Sequence, residues 1–263
     1  MIFLDPDNPN KYSSLKKLLV PHDLGMTKVK YGKGDGGYVL AEKFISSGGT
    51  NLNNVLSYGI GSDPEGVSFD ETMAKRGNKV DMYDASIESL PKDIDGDCSF
   101  FPEFLTEENF KDHVEKLKSK SDCWDSKFNI VKMDVEGCEY DWLSDSNLKL
   151  LKDNFCQITL EVHCLIEECM PDWTYEPVRL EVKPNRNKVE SFFKKLNSHF
   201  YLYHLHANNH SPRYVDLPDD MEMTFVNKDF CESKGIDYTI YPKNGLDEAN
   251  FNGRKDYVLD WWI

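Results

Sequence analysis

No run of 18 apolar residues occurs anywhere in the chain, which excludes a membrane-spanning helix of ordinary length. Basic residues are scarce: 31 Lys and Arg against 46 Asp and Glu leave a formal charge of −15 and a pI near 4.9. A surface of that sign repels phosphate backbones, and no local basic groove interrupts it, so nucleic acid is not expected as a partner. The seven cysteines are odd in number and lack a framework spacing, so reduced thiols are expected. Cys164 and Cys169 have no second pair with which to build a zinc site. The opening residues Met1-Ile2-Phe3-Leu4-Asp5-Pro6 have neither a basic flank nor a long apolar core. No secretion signal is expected there, and the cytoplasm is the expected compartment. Internal repeats and low-complexity tracts are also missing.

What remains is enough for one catalytic domain, since 263 residues with 40% apolar content can fill a single core. Apolar runs predict strands at about 54–58, 79–83, 98–101, 128–133, 156–162, 200–206 and 222–227. Helical spacing predicts helices over 106–118, 140–151 and 188–197, and Ser68-Phe69-Asp70-Glu71 reads as a capping box opening another. The alternation of strands and helices points to an α/β, Rossmann-like fold with helices on both faces of the sheet. Residues 1–50 read as an N-terminal extension packing on a domain over 51–263, with Gly34-Asp35-Gly36-Gly37 turning into a short strand at Tyr38-Val39-Leu40. The aperiodic stretch 164–187, containing Pro171, Trp173, Tyr175, Pro177 and Pro184, reads as a lid or as an ordinary surface excursion.

The densest chemistry lies in Lys132-Met133-Asp134-Val135-Glu136-Gly137-Cys138-Glu139-Tyr140. Three carboxylates follow an apolar strand, at the end where open α/β sheets hold their ligands. The same acids also suit a helix N-terminus, through the helix dipole. Upstream, Tyr58-Gly59-Ile60-Gly61-Ser62 forms a glycine loop between a strand and a helix, where missing Cβ atoms let a nucleotide-like ligand approach the backbone. The next strand ends in Asp84, followed by Ala85 and Ser86. An acid there can accept both hydroxyls of a ribose, or simply cap the following helix. The order of glycine loop, strand-end Asp and strand-end Asp-x-Glu is more specific than any of its parts.

These segments together resemble the FkbM-type S-adenosylmethionine-dependent methyltransferases. The resemblance rests on the 132–139 motif, on Tyr58-Gly59-Ile60-Gly61-Ser62 with Phe69-Asp70, on Asp35-Gly36-Gly37-Tyr38-Val39-Leu40 and on Leu160-Glu161-Val162-His163. A C-terminal Gly245-Leu246-Asp247 with Asn250 and Asp256-Tyr257 is similar to glycan-modifying relatives, among them enzymes of large algal viruses. The chain departs from the common methyltransferase loop in having Ser57 two residues before the first glycine and Asp63 in place of a third. The resemblance implies a class I methyltransferase fold with a mostly parallel seven-stranded sheet and an antiparallel C-terminal strand. It also implies S-adenosylmethionine as cofactor, held by Lys33, Gly36, Gly37, Tyr38, Gly59, Gly61, Ser62, Asp84, Ala85, Ser86 and Asp134.

Methyl transfer to an alcohol needs alignment behind the methyl carbon, and a base or metal to lower the hydroxyl pKa. Asp134, Glu136 and His163 are the candidate catalytic groups. Asp134, Glu161 and His163 form a candidate set for Mg²⁺ or Mn²⁺, an oxygen-rich site with one imidazole. If the sixth strand lies beside the fifth, His206 approaches His163, and Asn208 and Asn209 sit above it where their amides can read sugar hydroxyls. The bland counterparts are a hydrogen-bonded core histidine, a Glu161–Lys132 pair and an Asn-rich turn. The expected reaction is O-methylation of a sugar hydroxyl on a glycan or glycoconjugate. The rival functions are methylation of another small molecule, nicotinamide-dependent oxidoreduction, and cofactor binding without catalysis.

Overall fold

The computed structural model describes residues 2–3, 10–45, 52–167 and 184–263. The strands are β1 (Ile2–Phe3), β2 (Lys28–Tyr31), β3 (Tyr38–Ala41), β4 (Asn54–Tyr58), β5 (Lys79–Tyr83), β6 (Cys98–Phe101), β7 (Ile130–Met133), β8 (Gln157–Val162), β9 (Phe200–Ala207), β10 (Arg213–Tyr214), β11 (Leu217–Pro218) and β12 (Met221–Asn227). The helices are α1 (Ser13–Leu18), α2 (Ser68–Lys75), α3 (Phe110–Lys120), α4 (Asp145–Asn154) and α5 (Arg186–His199).

Seven strands form one sheet in the order β6-β5-β4-β7-β8-β12-β9. The first five run parallel, and β12 lies antiparallel to both neighbours. The fold is therefore α/β with a mostly parallel, Rossmann-like sheet. Each predicted strand is present within two residues of its expected bounds, because runs such as Val55-Leu56 and Ile130-Val131 are buried on both faces and read as unbroken apolar stretches.

Residues of the two faces alternate along each strand. Leu56, Tyr58, Val131 and Met133 join the core under α3, α4 and α5. Val55 and Ile130 join the other core, with α2 and the β2–β3 hairpin. On the helical side Phe110, Leu151, Phe193 and Leu196 are essentially fully buried, each contributing roughly 1.5–3 kcal/mol of apolar transfer. The hairpin is fastened by side chains that imitate a neighbouring strand. The Gln157 amide accepts from Ala41 N at 2.7 Å and donates to Ala41 O at 3.2 Å.

Three local expectations need correction. Ser68 is the first residue of α2 and makes no side-chain cap; its hydroxyl instead donates to the Lys33 and Gly36 carbonyls, tying the N-terminal turn to the helix. The helix expected from 140 begins at Asp145. Glu136 and Gly137 both have positive φ, 53° and 96°, so the chain leaves the strand in a short 3₁₀ turn, and Ser144 restarts the helix by accepting from Asn147 N. The sixth strand, β9, does not adjoin β8, because β12 is inserted between them. The proposed lid falls largely on residues 168–183, and Cys169 with it, outside the described residues. Among those described, no helix is long and apolar enough to cross a membrane.

Candidate functional site

The carboxyl ends of β4, β5, β7 and β8 meet at one edge of the sheet and are stitched together there. Asp134 N donates to Tyr58 O at 3.0 Å and Gly59 N to Tyr83 O at 3.1 Å. The two loop glycines have different reasons to be glycine. Both have positive φ, 70° and 71°, but a Cβ on Gly59 would stand 1.4 Å from the Asp134 carbonyl oxygen, whereas one on Gly61 meets nothing within 4 Å. Gly59 is thus required by strand packing, and Gly61 leaves open space beside the backbone.

Asp84 lies beneath this loop. One oxygen accepts from Ile60 N (2.7 Å) and Gly61 N (2.8 Å), the other from Ser86 N (2.7 Å) and Ser86 Oγ (2.6 Å). Burial works to raise its pKa, but these four donors outweigh it and hold the carboxyl below its ordinary range. They also fill the usual acceptor capacity of a carboxylate. A ribose therefore has to share or replace a loop donor. Ser62 and Ser86 are exposed and Ala85 half-buried beside it.

On the N-terminal turn, Lys33 is exposed and its backbone N donates to Ser68 Oγ at 2.8 Å. Gly36 and Gly37 are close-packed: an added Cβ would lie 2.3 Å from Glu65 O and 2.7 Å from Lys30 Cε, respectively. Tyr38 is buried, with its hydroxyl 3.5 Å from Asp134 Oδ2. The turn thus reaches the β7 acid through Tyr38.

His163, just past β8, is the centre of the acidic cluster. Its Nδ1 is 2.8 Å from Glu139 Oε1, and Glu139 is fully buried and also accepts from Gly137 N. Nε2 faces three carboxylates: Glu136 Oε2 at 3.7 Å, Glu161 Oε1 at 3.8 Å and Asp134 Oδ1 at 3.9 Å. Burial lowers the imidazole pKa, but Glu139, Asp220 and Glu161 overcome it and push it well above its ordinary value. A buried carboxylate fixing one imidazole nitrogen while the other faces oxygen ligands is the usual support of a metal-binding histidine. Asp134, Glu136 and His163 each offer an atom within 4.8 Å of the others. Ligands around Mg²⁺ at about 2.1 Å stand about 3 Å apart in an octahedron, so a small inward movement suffices. Glu136 is 76% exposed and can make it. Glu161 stays next to this set, its Oε1 accepting from Asn208 Nδ2 at 2.8 Å. Glu136 and Cys164 are both non-glycine residues with positive φ, 53° and 59°, so the backbone strain of the two loops flanks the cluster.

The three residues expected to read the substrate make contacts within the protein. His206 lies in the same cross-sheet row as Glu161 and Glu222, but β12 separates it from β8 and it does not reach His163. Its Nε2 is 2.8 Å from Asp256 Oδ2 and its Nδ1 3.4 Å from Glu222 Oε2, while Asn250 donates to the other Glu222 oxygen. Asn209 donates to the Phe251 and Arg254 carbonyls and accepts from Phe251 N. Asn208 holds Glu161 and the His210 amide. These contacts dock residues 250–256 against β9 and β12. Sequence reading missed Glu139, Asp220, Glu222 and Asp256 as partners of the two histidines; Glu139 was visible in the motif, whereas Asp256 is brought in only by the return of the C-terminal segment.

The His206 clamp predicts a pH dependence. Burial lowers the His206 pKa, but Asp256 and Glu222 raise it to about 10. A pKa raised above the unfolded value near 6.5 gives stability that is complete below about pH 6.5 and lost as pH climbs toward about 10. Melting temperature measured from pH 6 to 10 is expected to fall across this window in the wild type. In His206→Gln this component is expected to vanish; an equal fall in both proteins contradicts the assignment.

Comparison with known proteins yields no match to a protein-family model, a curated protein or a solved structure. The functional argument therefore stands on the site.

Proposed function

We propose that this protein is an S-adenosylmethionine-dependent O-methyltransferase with a class I fold, acting on a sugar hydroxyl of a glycan or glycoconjugate with help from Mg²⁺ or Mn²⁺. The observation that carries this reading is the cluster of Asp134, Glu136 and His163, whose Asp134 packs against Gly59 of the glycine loop at the carboxyl end of a Rossmann-like sheet. The reversed strand β12 agrees with the fold implied by the family resemblance. In this reading the donor lies along the Gly59–Gly61 loop, with Asp84 and Ser86 toward its ribose, and Lys33 supplies a cation for its carboxylate.

Asp134, Glu136 and His163 would hold the cation, and Glu161 lies next to this set. The bound metal supplies Lewis acidity that lowers the pKa of the acceptor hydroxyl. Asp134 lies between donor loop and histidine, and so orients the acceptor oxygen behind the methyl carbon for in-line displacement. Glu139 fixes the His163 ring so that Nε2 faces the reacting side. Without a metal, Asp134 takes the hydroxyl proton directly, and His163, kept protonated by its acidic neighbours, stays beside it as a cation.

The test is mass spectrometry of candidate oligosaccharides, nucleosides and small alcohols incubated with protein and S-adenosylmethionine, with and without divalent metal. A sugar gaining one methyl group is the expected result; methylation of none of them, together with no affinity for S-adenosylhomocysteine, overturns the reading. For the donor side, Asp84→Ala removes an acceptor that organises the loop, and charge-assisted bonds contribute about 1.5–3 kcal/mol each. Calorimetry is expected to show S-adenosylhomocysteine affinity reduced by roughly ten- to a hundredfold. Unchanged affinity in a folded Asp84→Ala protein removes Asp84 from the site.

A further inference from the structure

Lys132 lies in the middle of β7, opposite Ser57 of β4 and Thr159 of β8, on the face covered by α2 and the β2–β3 hairpin. It is 1% exposed. Its ammonium donates to the Gly59 carbonyl at 2.5 Å and the Tyr58 carbonyl at 3.4 Å. It also stands 4.0 Å from Asp134 Oδ2 and 5.6 Å from the centre of the Tyr38 ring. Tyr38 donates to that same carboxyl oxygen. A buried ammonium is expensive unless it is paired, and an apolar side chain would fill this core position without that cost. Further back, Asp70 of α2 is fully buried on the same side, with the buried Ser57 hydroxyl beside it. Burial raises the Asp70 pKa, and the nearby Lys132 charge offsets part of that rise.

The charge thus touches both halves of the site. On one side is the loop glycine whose Cα packs against the Asp134 backbone; on the other is the Asp134 oxygen turned away from His163. We infer that Lys132 is a positioning residue that locks the Gly59–Gly61 loop to Asp134, holding Oδ2 on its own side so that Oδ1 is directed toward His163. Its consequence for methyl transfer rests on the function proposed above; its structural part does not. The lock makes donor-side and acceptor-side geometry interdependent, so loosening the lysine disturbs both at once.

The test compares wild type, Lys132→Met and the double variant Lys132→Met/Asp70→Asn by thermal melting and by hydrogen exchange of peptides covering 57–63 and 132–139. The single variant leaves the buried Asp70 without its nearby cation and is expected to melt lower. The double variant removes that acid and is expected to recover most of the melting temperature. Faster exchange in both peptides is expected to persist in it, together with S-adenosylhomocysteine affinity weakened roughly tenfold. A purely structural lysine predicts instead that exchange and affinity recover along with melting temperature, and that result overturns the inference. If the double variant does not fold, Lys132→Gln, which keeps a donor and loses the charge, is read by the same exchange measurement, and wild-type protection in it overturns the inference. Wild-type protein that fails to bind S-adenosylhomocysteine overturns the proposed function, while the exchange comparison still decides the role of Lys132.

Discussion

Asp134→Ala is expected to lower the proposed methyl transfer by about 10²–10⁴-fold, the range for loss of a positioned acid–base group, while the protein stays folded. Asp134 is partly exposed, with 27% of its side-chain surface accessible, so its removal opens no core cavity. Its two oxygens face different neighbours, Oδ2 toward Lys132 and Tyr38 and Oδ1 toward His163, so alanine removes the link between them. His163→Ala is expected to act similarly on turnover and to leave donor affinity near wild type. The metal and direct-base versions separate on chelation. The metal version predicts that a chelator abolishes activity and Mn²⁺ restores it; full activity in chelated protein discards the metal. Because Glu139, Asp220 and Glu161 hold the His163 proton above its ordinary range, cation binding must expel that proton, and Mn²⁺ affinity is expected to rise with pH. A fully active Asp134→Ala discards both versions.

The second large effect is structural. Gly59→Ala is expected to destabilise the protein by about 3 kcal/mol or more, in the upper part of the range for single substitutions. Its Cβ meets the Asp134 carbonyl at 1.4 Å, and neither rigid backbone segment can yield without breaking the β4–β7 pairing. Gly61→Ala shares the positive φ but has open space around it, so its cost is the left-handed penalty alone, about 1–2 kcal/mol. Denaturant unfolding of the two variants checks the contrast. Equal losses refute the assignment of Gly59 to packing. If donor binding suffers more in Gly61→Ala than its stability does, the open side of that residue faces the ligand.

The strand–loop–helix sequence around 54–75 was legible because glycines at 59 and 61 interrupt strong apolar runs. The acids at 134 and 136 were legible because they cluster directly after the apolar run that ends β7. His163 was legible as a candidate, but its support was not, because Glu139 approaches it only after the left-handed turn at Glu136 and Gly137 folds the motif back. The placement of His206 misled because alternation along a strand says which face a residue occupies and nothing about which strand lies beside it. The structure inserts β12 there, which keeps His206 from His163 and pairs it with Asp256. Ser68, expected as a cap, binds the N-terminal turn, a partner more than thirty residues away that local pattern cannot reveal.

By itself the sequence determined the α/β class, the strand positions, the acidic ligand end of the sheet and the lack of an apolar run able to span a membrane. Each follows from short-range physics, namely side-chain periodicity, backbone freedom at glycine and the cost of burying charge. Only the tertiary structure decided which acids surround His163, why Gly59 and Gly61 differ, where Lys132 directs its charge and what His206 holds. Those answers depend on strand order and on the return of the C-terminal segment, and both are set by the packing of the whole core, which no local window of residues contains.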